Sequence, residues 1–149
     1  MFTSIRRFGL IAALAVTLAT QAVAGIGSSV ELRNARLAAR ATVVGNAGKL
    51  TIYNGTRPAT GGAATMALAT FTLGSPFASA PSNAVQSPTL PSAVNASATG
   101  TATWFRITKS DGTFVEDGDV GQEMTLNTNS ITSGLQVQIT SWAVTAGNP

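Results

Sequence analysis

The chain contains no cysteine and no histidine among its 149 residues. The absence of cysteine excludes disulfide bonds and thiolate chemistry. The absence of histidine removes the usual general base near neutral pH and the commonest metal ligand in proteins. Charged residues make up only 10% of the chain and aromatic residues only 6%. These shortages weigh against catalysis, and the abundance of small side chains suits short strands that pack closely against other subunits.

The few charges are distributed unevenly along the chain. Seven of the nine basic residues lie at or before Arg57, whereas five of the six acidic residues follow it. A basic front and an acidic back would suit head-to-tail contacts between copies, or docking on an acidic partner. Nucleic acid is not favoured as a partner, because the arginines are few and are not interleaved with aromatic residues.

Residues 1–27 form a hydrophobic N-terminal segment that has two main interpretations. Two arginines precede a short apolar run, and Ala22-Val23-Ala24 has the form of a signal peptidase site. The segment is therefore either a secretory signal cleaved near Ala24 or an uncleaved arm that packs into an assembly. A pilin-like leader fits less well, because Leu14 stands where such leaders usually carry glutamate. The run is too short for a clear membrane span, so membrane contact is expected only through residues 1–24, and only if they stay uncleaved.

Residues 28–44 predict one short helix in front of the β-rich part of the chain. Ser28 and Glu31 have the spacing of a capping box, with Ser28 as the N-cap. The β-branched residues after Ala41, followed by a Gly-Asn-Ala-Gly sequence, predict that the helix ends near that residue.

The predicted helix has two distinguishable faces. An apolar face is formed by Leu32, Ala35 and Ala39, and a basic stripe is formed by Arg33, Arg36 and Arg40. The basic stripe is either a solvated helix face or a contact to a neighbouring subunit.

Residues 49–149 predict an antiparallel β-sandwich or jelly-roll-like domain built from short strands. Gly, Asn and Pro residues separate the apolar segments. The predicted strands cover residues 49–53, 64–73, 93–99, both arms of a hairpin within 101–120, 123–128 and 135–145. The segment 76–91 carries four prolines and predicts a long irregular connection draped over the domain. In the last strand, the alternation predicts a change of environment near Ser141.

The hairpin has the clearest strand pattern in the chain. Asp111-Gly112 suits a two-residue type I′ turn. This turn predicts three cross-strand pairs, Lys109 with Phe114, Ile107 with Glu116, and Arg106 with Asp117. The alternation then predicts one face with Phe105, Ile107, Phe114 and Val120, and an opposite face with Trp104, Arg106 and Val115.

No constellation in the sequence indicates catalysis, a cofactor or a metal. Asp117-Gly118-Asp119 superficially resembles a calcium loop but lacks the EF-hand spacing and its closing glutamate. Trp104 and Trp142 could line a groove, although core or interface anchors are the favoured interpretation in so aromatic-poor a chain. The candidate contacts to a partner are therefore Arg33, Arg36, Arg40, Trp104 and Trp142.

Three segments together resemble a family of small structural proteins of tailed bacteriophages. The segments are KLTIYNGTRPAT (49–60), ATGTATWFRITKSDGTFVEDGDVG (98–121) and MTLNTNSITSGLQVQITSWAVT (124–145). They share with that family a Tyr-x-Gly-x-x-Pro-like loop, a Trp-bearing strand before an Asp-Gly turn, an Asp-Gly-Asp-Val-Gly segment and a closing strand rich in Val, Ile, Ser and Thr. Residues 1–27 depart from the family pattern, whose members begin near the helix.

The resemblance implies a virion component without enzyme activity. The preferred role is a head decoration or cement protein that binds outside the capsid lattice, with itself and the major capsid or other virion proteins as partners. A tail or head–tail component is the alternative within the virion. The competing class, which the signal-like front suggests, is a secreted or surface β-sandwich, including the subunit of a filament.

Overall fold

The computed structural model describes residues 27–147, so the prediction for the hydrophobic N-terminal segment falls almost entirely outside the described residues. The described chain contains one helix, α1, followed by twelve short strands, β1 to β12. The helix covers Val30–Val44. The strands are β1 Lys49–Tyr53, β2 Ala67–Thr72, β3 Val85–Gln86, β4 Val94–Asn95, β5 Gly100–Thr101, β6 Trp104–Thr108, β7 Phe114–Asp119, β8 Met124–Leu126, β9 Ser130–Ile131, β10 Gln136–Val137, β11 Ile139–Trp142 and β12 Val144–Thr145.

The largest sheet has four antiparallel strands in the order β2-β1-β6-β7. The remaining strands of the described residues pair two by two, as β10-β4, β11-β8, β12-β3 and β5-β9, and these pairs are antiparallel as well. The predicted class, a mainly β antiparallel fold with one helix in front, is therefore confirmed. A jelly-roll-like arrangement is not confirmed.

One face of the four-stranded sheet lies on the core. Leu50 and Ile52 of β1 are fully buried there beside Ile107 of β6. The small two-stranded pairs cover this face with Met124, Ile131, Val137, Ile139 and Trp142. The apolar residues thus alternate along β1 and β6, as a half-buried sheet requires, and the opposite face of the sheet is left for other contacts.

Helix α1 begins one residue later than the predicted capping box. Ser29 is the N-cap, and its hydroxyl accepts a hydrogen bond from the Leu32 N–H at 3.2 Å. The prediction of Ser28 as the N-cap is therefore wrong. The helix also continues through Val44, because Val44 is buried in the core and this packing outweighs the low helix propensity of the β-branched residues.

Helix α1 docks on the domain through a side other than the predicted apolar face. Leu37 and Val44 are buried against the β domain, and Ala41 packs beside them. The predicted apolar face, Leu32, Ala35 and Ala39, is exposed instead. The face that docks on the domain carries Arg33 and Arg40, whose long side chains reach hydrogen-bond acceptors at its border.

The β6–β7 hairpin confirms part of the predicted register. Arg106 pairs with Asp117 and Ile107 with Glu116, as expected, but Phe114 pairs with Thr108 and not with Lys109. The turn is a three-residue loop in which Lys109 N–H donates to Thr113 O at 2.8 Å, and Gly112 has φ +88°. The predicted two-residue type I′ turn is therefore wrong.

A β-bulge at Val115 compensates for the extra turn residue and restores the register towards the middle of the hairpin. As a result of the loop and the bulge, Phe114 and Val115 lie on the opposite faces from those predicted. Val115 packs against the core, whereas Phe114 lies on the opposite face beside Arg106. The predicted faces of these two residues are therefore wrong, while Phe105, Ile107 and Val120 do share the core face.

A second bulge, in β2, places Leu68, Ala69 and Phe71 all on the core side, so burial in this strand does not follow a strict alternation. The connection 76–91 is not wholly irregular, because it contains β3 and buries Phe77. The predicted change near Ser141 is confirmed by a register shift between Ile139 and Ser141.

Candidate functional site

Two of the three resembling segments, 49–60 and 98–121, come together on the face of the four-stranded sheet that points away from the core. Tyr53 stacks on Trp104 with ring centroids 4.3 Å apart and planes 13° apart. The guanidinium carbon of Arg106 lies 5.3 Å from the Trp104 ring centroid and 5.2 Å from that of Phe114. We call Tyr53, Trp104, Arg106, Phe114 and Asp117 the outer-face cluster. It is a continuous stack of aromatic rings around one cation.

The loop that follows β1 closes over the outer-face cluster. The Trp104 indole N–H donates to Thr65 Oγ1 at 3.0 Å and to Asn54 O at 3.2 Å. Arg106 Nη2 donates to Gly62 O at 2.9 Å. A methyl group added at Gly61, where φ is +72°, would contact the Phe114 ring. That contact would be at an ordinary van der Waals distance, so it is the positive φ of Gly61 that favours glycine at this position.

The charge at the centre of the cluster is neutralised within the chain. Arg106 Nε donates to Asp117 Oδ1 at 2.7 Å, and Nη2 donates to Asp117 Oδ2 at 2.9 Å. The two side chains are 12% and 1% exposed. The hydrogen bonds that Arg106 donates to Asp117 raise the pKa of Arg106 above its ordinary value, although burial acts in the opposite direction. This bidentate pair fixes the two charged side chains of the cluster against each other.

A second set of contacts surrounds Arg40 on the core side of the sheet. Its guanidinium makes a bidentate ion pair with Glu116 of β7 and lies 3.5 Å from Gln86 Oε1. The guanidinium carbon also lies 5.0 Å from the Phe77 ring centroid and 5.9 Å from that of Trp142. Arg40 thus joins the helix, the proline-rich connection, β7 and the C-terminal strands.

The candidate partner contacts occupy different environments. Arg33 donates to Ala146 O at 2.6 Å and Arg40 pairs with Glu116, so both act within the chain, while Arg36 is exposed. Trp104 and Trp142 are 0% and 4% exposed. Trp142 is therefore a core residue, whereas Trp104 is buried on the opposite face of the sheet beneath the loop that carries Asn54 and Thr65, and neither side chain lines an open groove. Of the five candidates, Arg36 is the one whose side chain is exposed.

Each acidic residue of β7 forms an ion pair with an arginine. Glu116 pairs with Arg40, Asp117 with Arg106 and Asp119 with Arg57. Two of these pairs join the basic front of the chain to its acidic back. Many of the oppositely charged side chains thus pair within one molecule, and fewer of them are free to form contacts between copies.

A small pocket opens beside the Arg40–Glu116 pair. Its volume is about 90 Å³, and it is lined by Arg40, Phe105, Glu116, Asp117, Gly118, Glu123 and Val144. Small-molecule sites usually occupy roughly 300–1,000 Å³, so this pocket has room for a few water molecules or one small side chain. Within residues 27–147, no group of three or more acidic side chains is arranged to hold a metal ion. No helix in the same range is long and apolar enough to cross a membrane.

Sequence reasoning missed the partners of Arg40. Phe77 and Gln86 lie in a connection that was expected to be irregular, and no local pattern marks either residue as buried. The single apolar aromatic residue in that polar, proline-rich segment was the available signal, because an isolated Phe between Pro, Ser and Ala residues is commonly an anchor on the core.

No protein-family model, curated protein or solved structure significantly matches this chain. The function is therefore inferred from the residues and contacts described above.

Proposed function

We propose that this protein is a non-enzymatic structural component of a phage virion, and that it decorates or cements the capsid through packing between subunits. The observation that carries the proposal is the order and spacing of the three resembling segments. The fold provides a physical reason for that pattern, because Tyr53, Trp104 and Asp117 come from two of these segments and lie in the outer-face cluster.

The chemistry of the described residues supports a structural role. The chain has no histidine or cysteine. The acids of β7 are each held by an arginine. Exposed apolar side chains are present on helix α1 and in two connections, namely Leu32, Val43, Met66 and Leu135. Such residues are suited to burial between subunits, where apolar contact gives most of the association free energy.

Particle purification from the native source, followed by intact mass measurement and N-terminal sequencing, tests this proposal. We expect the protein to co-sediment with particles and to retain most of the residues before Gly25. Immunogold labelling then distinguishes the head surface from the tail or the head–tail junction. A protein that begins at Gly25 and occurs free of particles would support the secreted β-sandwich or filament subunit and would overturn the virion proposal.

A further inference from the structure

The outward face of helix α1 is more apolar than the face that docks on the domain. Leu32 and Val43 are 46% and 49% exposed. Ala35 and Ala39 lie between them along the same side and are exposed as well. At about 100° per residue these four side chains form one stripe on the side of the helix opposite Leu37. We call Leu32, Ala35, Ala39 and Val43 the outward stripe.

We propose that the outward stripe is an interface with the same helix of a second copy, and that the two helices run parallel. The inference rests on the proposed function, because it assumes a role carried out through contacts between copies. Ala35 and Ala39 have side chains small enough to let two helix backbones approach closely. Leu32 and Ala39 occupy positions equivalent to a, and Ala35 occupies d, in a heptad repeat.

The charges beside the stripe select a second copy and set its direction. Glu31 and Arg36 lie on opposite flanks of the stripe and are both exposed. Among the described residues neither forms an ion pair. Their separation of five residues is that of a g position and the following e position, which pair between the helices of a parallel coiled coil. Two symmetric Glu31–Arg36 pairs would therefore flank the stripe.

An antiparallel pair fits these charges less well. The two-fold axis of such a pair places each flank against the same flank of its partner. The two Arg36 side chains would then meet near the middle of the interface, and both Glu31 side chains would stay unpaired at its ends. The parallel arrangement avoids this repulsion, and it brings the two N-terminal segments out at the same end of the helix pair.

The interface is small, since one four-turn helix offers less than the roughly 800 Å² per partner of a typical stable complex. Its contribution grows when many copies are held on one assembly, where the effective concentration of neighbouring helices is high. The inferred contact therefore suits a subunit of a larger structure more than an isolated dimer.

Cysteine cross-linking of the full chain tests the interface directly, because the natural sequence has no cysteine. In a parallel pair, identical positions lie side by side, so the Ala39→Cys variant should form a disulfide-linked dimer on mild oxidation. The matched control is Ala38→Cys, an exposed alanine on the same helix but off the outward stripe. We expect the Ala39→Cys dimer to form at least about tenfold faster than the control dimer, because the interface raises the effective thiol concentration.

Equal rates for Ala38→Cys and Ala39→Cys would overturn the interface. Cross-linking that appears only when the Ala35→Cys and Ala39→Cys chains are mixed would overturn the parallel direction. A charge test supplies independent support. Arg36→Glu should slow cross-linking of the Ala39→Cys chain several-fold, and adding Glu31→Arg should restore it. If neither Arg36→Glu nor the added Glu31→Arg changes the rate of cross-linking, the proposed Glu31–Arg36 ion pairs are absent.

These outcomes are separable from those of the proposed function. If the Ala39→Cys variant cross-links but the protein never sediments with particles, the interface is supported and the virion role is overturned. If the protein is found on particles but its Ala39→Cys and Ala38→Cys variants cross-link at equal rates, the virion role is supported and the interface is overturned. Circular dichroism of each variant shows that the helix is retained.

Discussion

Arg106 of β6 lies directly opposite Asp117 of β7, and the two side chains form a nearly buried bidentate ion pair above the Trp104 ring. Two residues further along the same face, Asp119 forms a second ion pair with Arg57. The side chain of Arg57 is 40% exposed and that of Asp119 is 44% exposed. The two pairs have the same chemistry and differ in burial. They therefore offer a direct comparison of buried and exposed ion pairs in one protein.

We expect Asp117→Ala to lower the free energy of unfolding by about 3 kcal/mol, because it leaves a desolvated guanidinium without its counter-charge. Asp119→Ala should change the free energy by less than about 1 kcal/mol, because water solvates the freed Arg57. Urea unfolding of both variants measures the difference. Equal effects of the two substitutions would show that the outer-face cluster does not depend on the buried pair.

Arg40 is expected to be the main polar attachment of helix α1. Arg40→Ala should destabilise the protein by about 2 kcal/mol, because Glu116 loses a bidentate partner and two aromatic rings lose a cation. Arg36→Ala, the matched control on the same helix, should change the stability by less than about 0.5 kcal/mol. Thermal unfolding checks both values, and Arg40→Lys should restore little, since an ammonium cannot bind Glu116 in the same bidentate way. An Arg36→Ala loss as large as that of Arg40→Ala would contradict this assignment.

The sequence predicts the strands more reliably than the faces that they present. The alternation in Lys49–Tyr53 reflects a strand that lies between two others and is buried on one face, and the structure has β1 at the predicted bounds. The Arg106–Asp117 pair is also predicted correctly. It is correct because one extra turn residue is offset by one bulged residue, Val115. A bulge depends on contacts across the sheet, so residue periodicity alone does not reveal it.

The helix shows a second limit of periodicity. The pattern assigns Leu32, Ala35 and Ala39 to one apolar face. It does not show whether that face packs on the domain or points away from it. In this protein the long side chain of Arg40 passes along Phe77 and ends on Glu116. The partners of Arg40 are distant from it in sequence, so periodicity within the helix cannot reveal them. An exposed apolar face can also mark an interface with another molecule.

Gly118 is expected to be required for the close approach of Phe105. A methyl group at position 118 would overlap the Phe105 ring. Gly118→Ala should therefore cost about 1–3 kcal/mol, as overpacking of a core does. Gly147→Ala serves as the control, because a Cβ there has no neighbour within 4 Å.

A double-substitution cycle with Phe105→Leu separates ring overlap from a backbone effect. If the overlap is the cause, Gly118→Ala should cost measurably less in the Phe105→Leu chain than in the natural one. An unchanged cost in the two backgrounds would indicate that the backbone at position 118, and not the Phe105 ring, demands glycine. Chemical denaturation of the four chains provides the comparison.

The hairpin turn predicts a pH dependence with a defined sign. Asp111 Oδ1 accepts a hydrogen bond from the Thr113 N–H at 2.8 Å, and this bond lowers the pKa of the Asp111 carboxyl below its ordinary value. Because the folded-state pKa lies below the unfolded-state value, the charged carboxyl stabilises the turn above the unfolded pKa. That stabilisation is lost as the pH falls through the folded pKa.

Carboxyl chemical shifts followed by NMR during an acid titration measure this pKa directly. We expect the pKa of Asp111 to lie below the ordinary value of an aspartate carboxyl. Asp111→Asn keeps an oxygen acceptor for the Thr113 N–H, so it should preserve the turn at neutral pH while removing the acid-dependent loss. Asp111→Ala removes both the acceptor and the charge. An Asp111 pKa at or above its ordinary value would show that the carboxylate does not hold the three-residue loop.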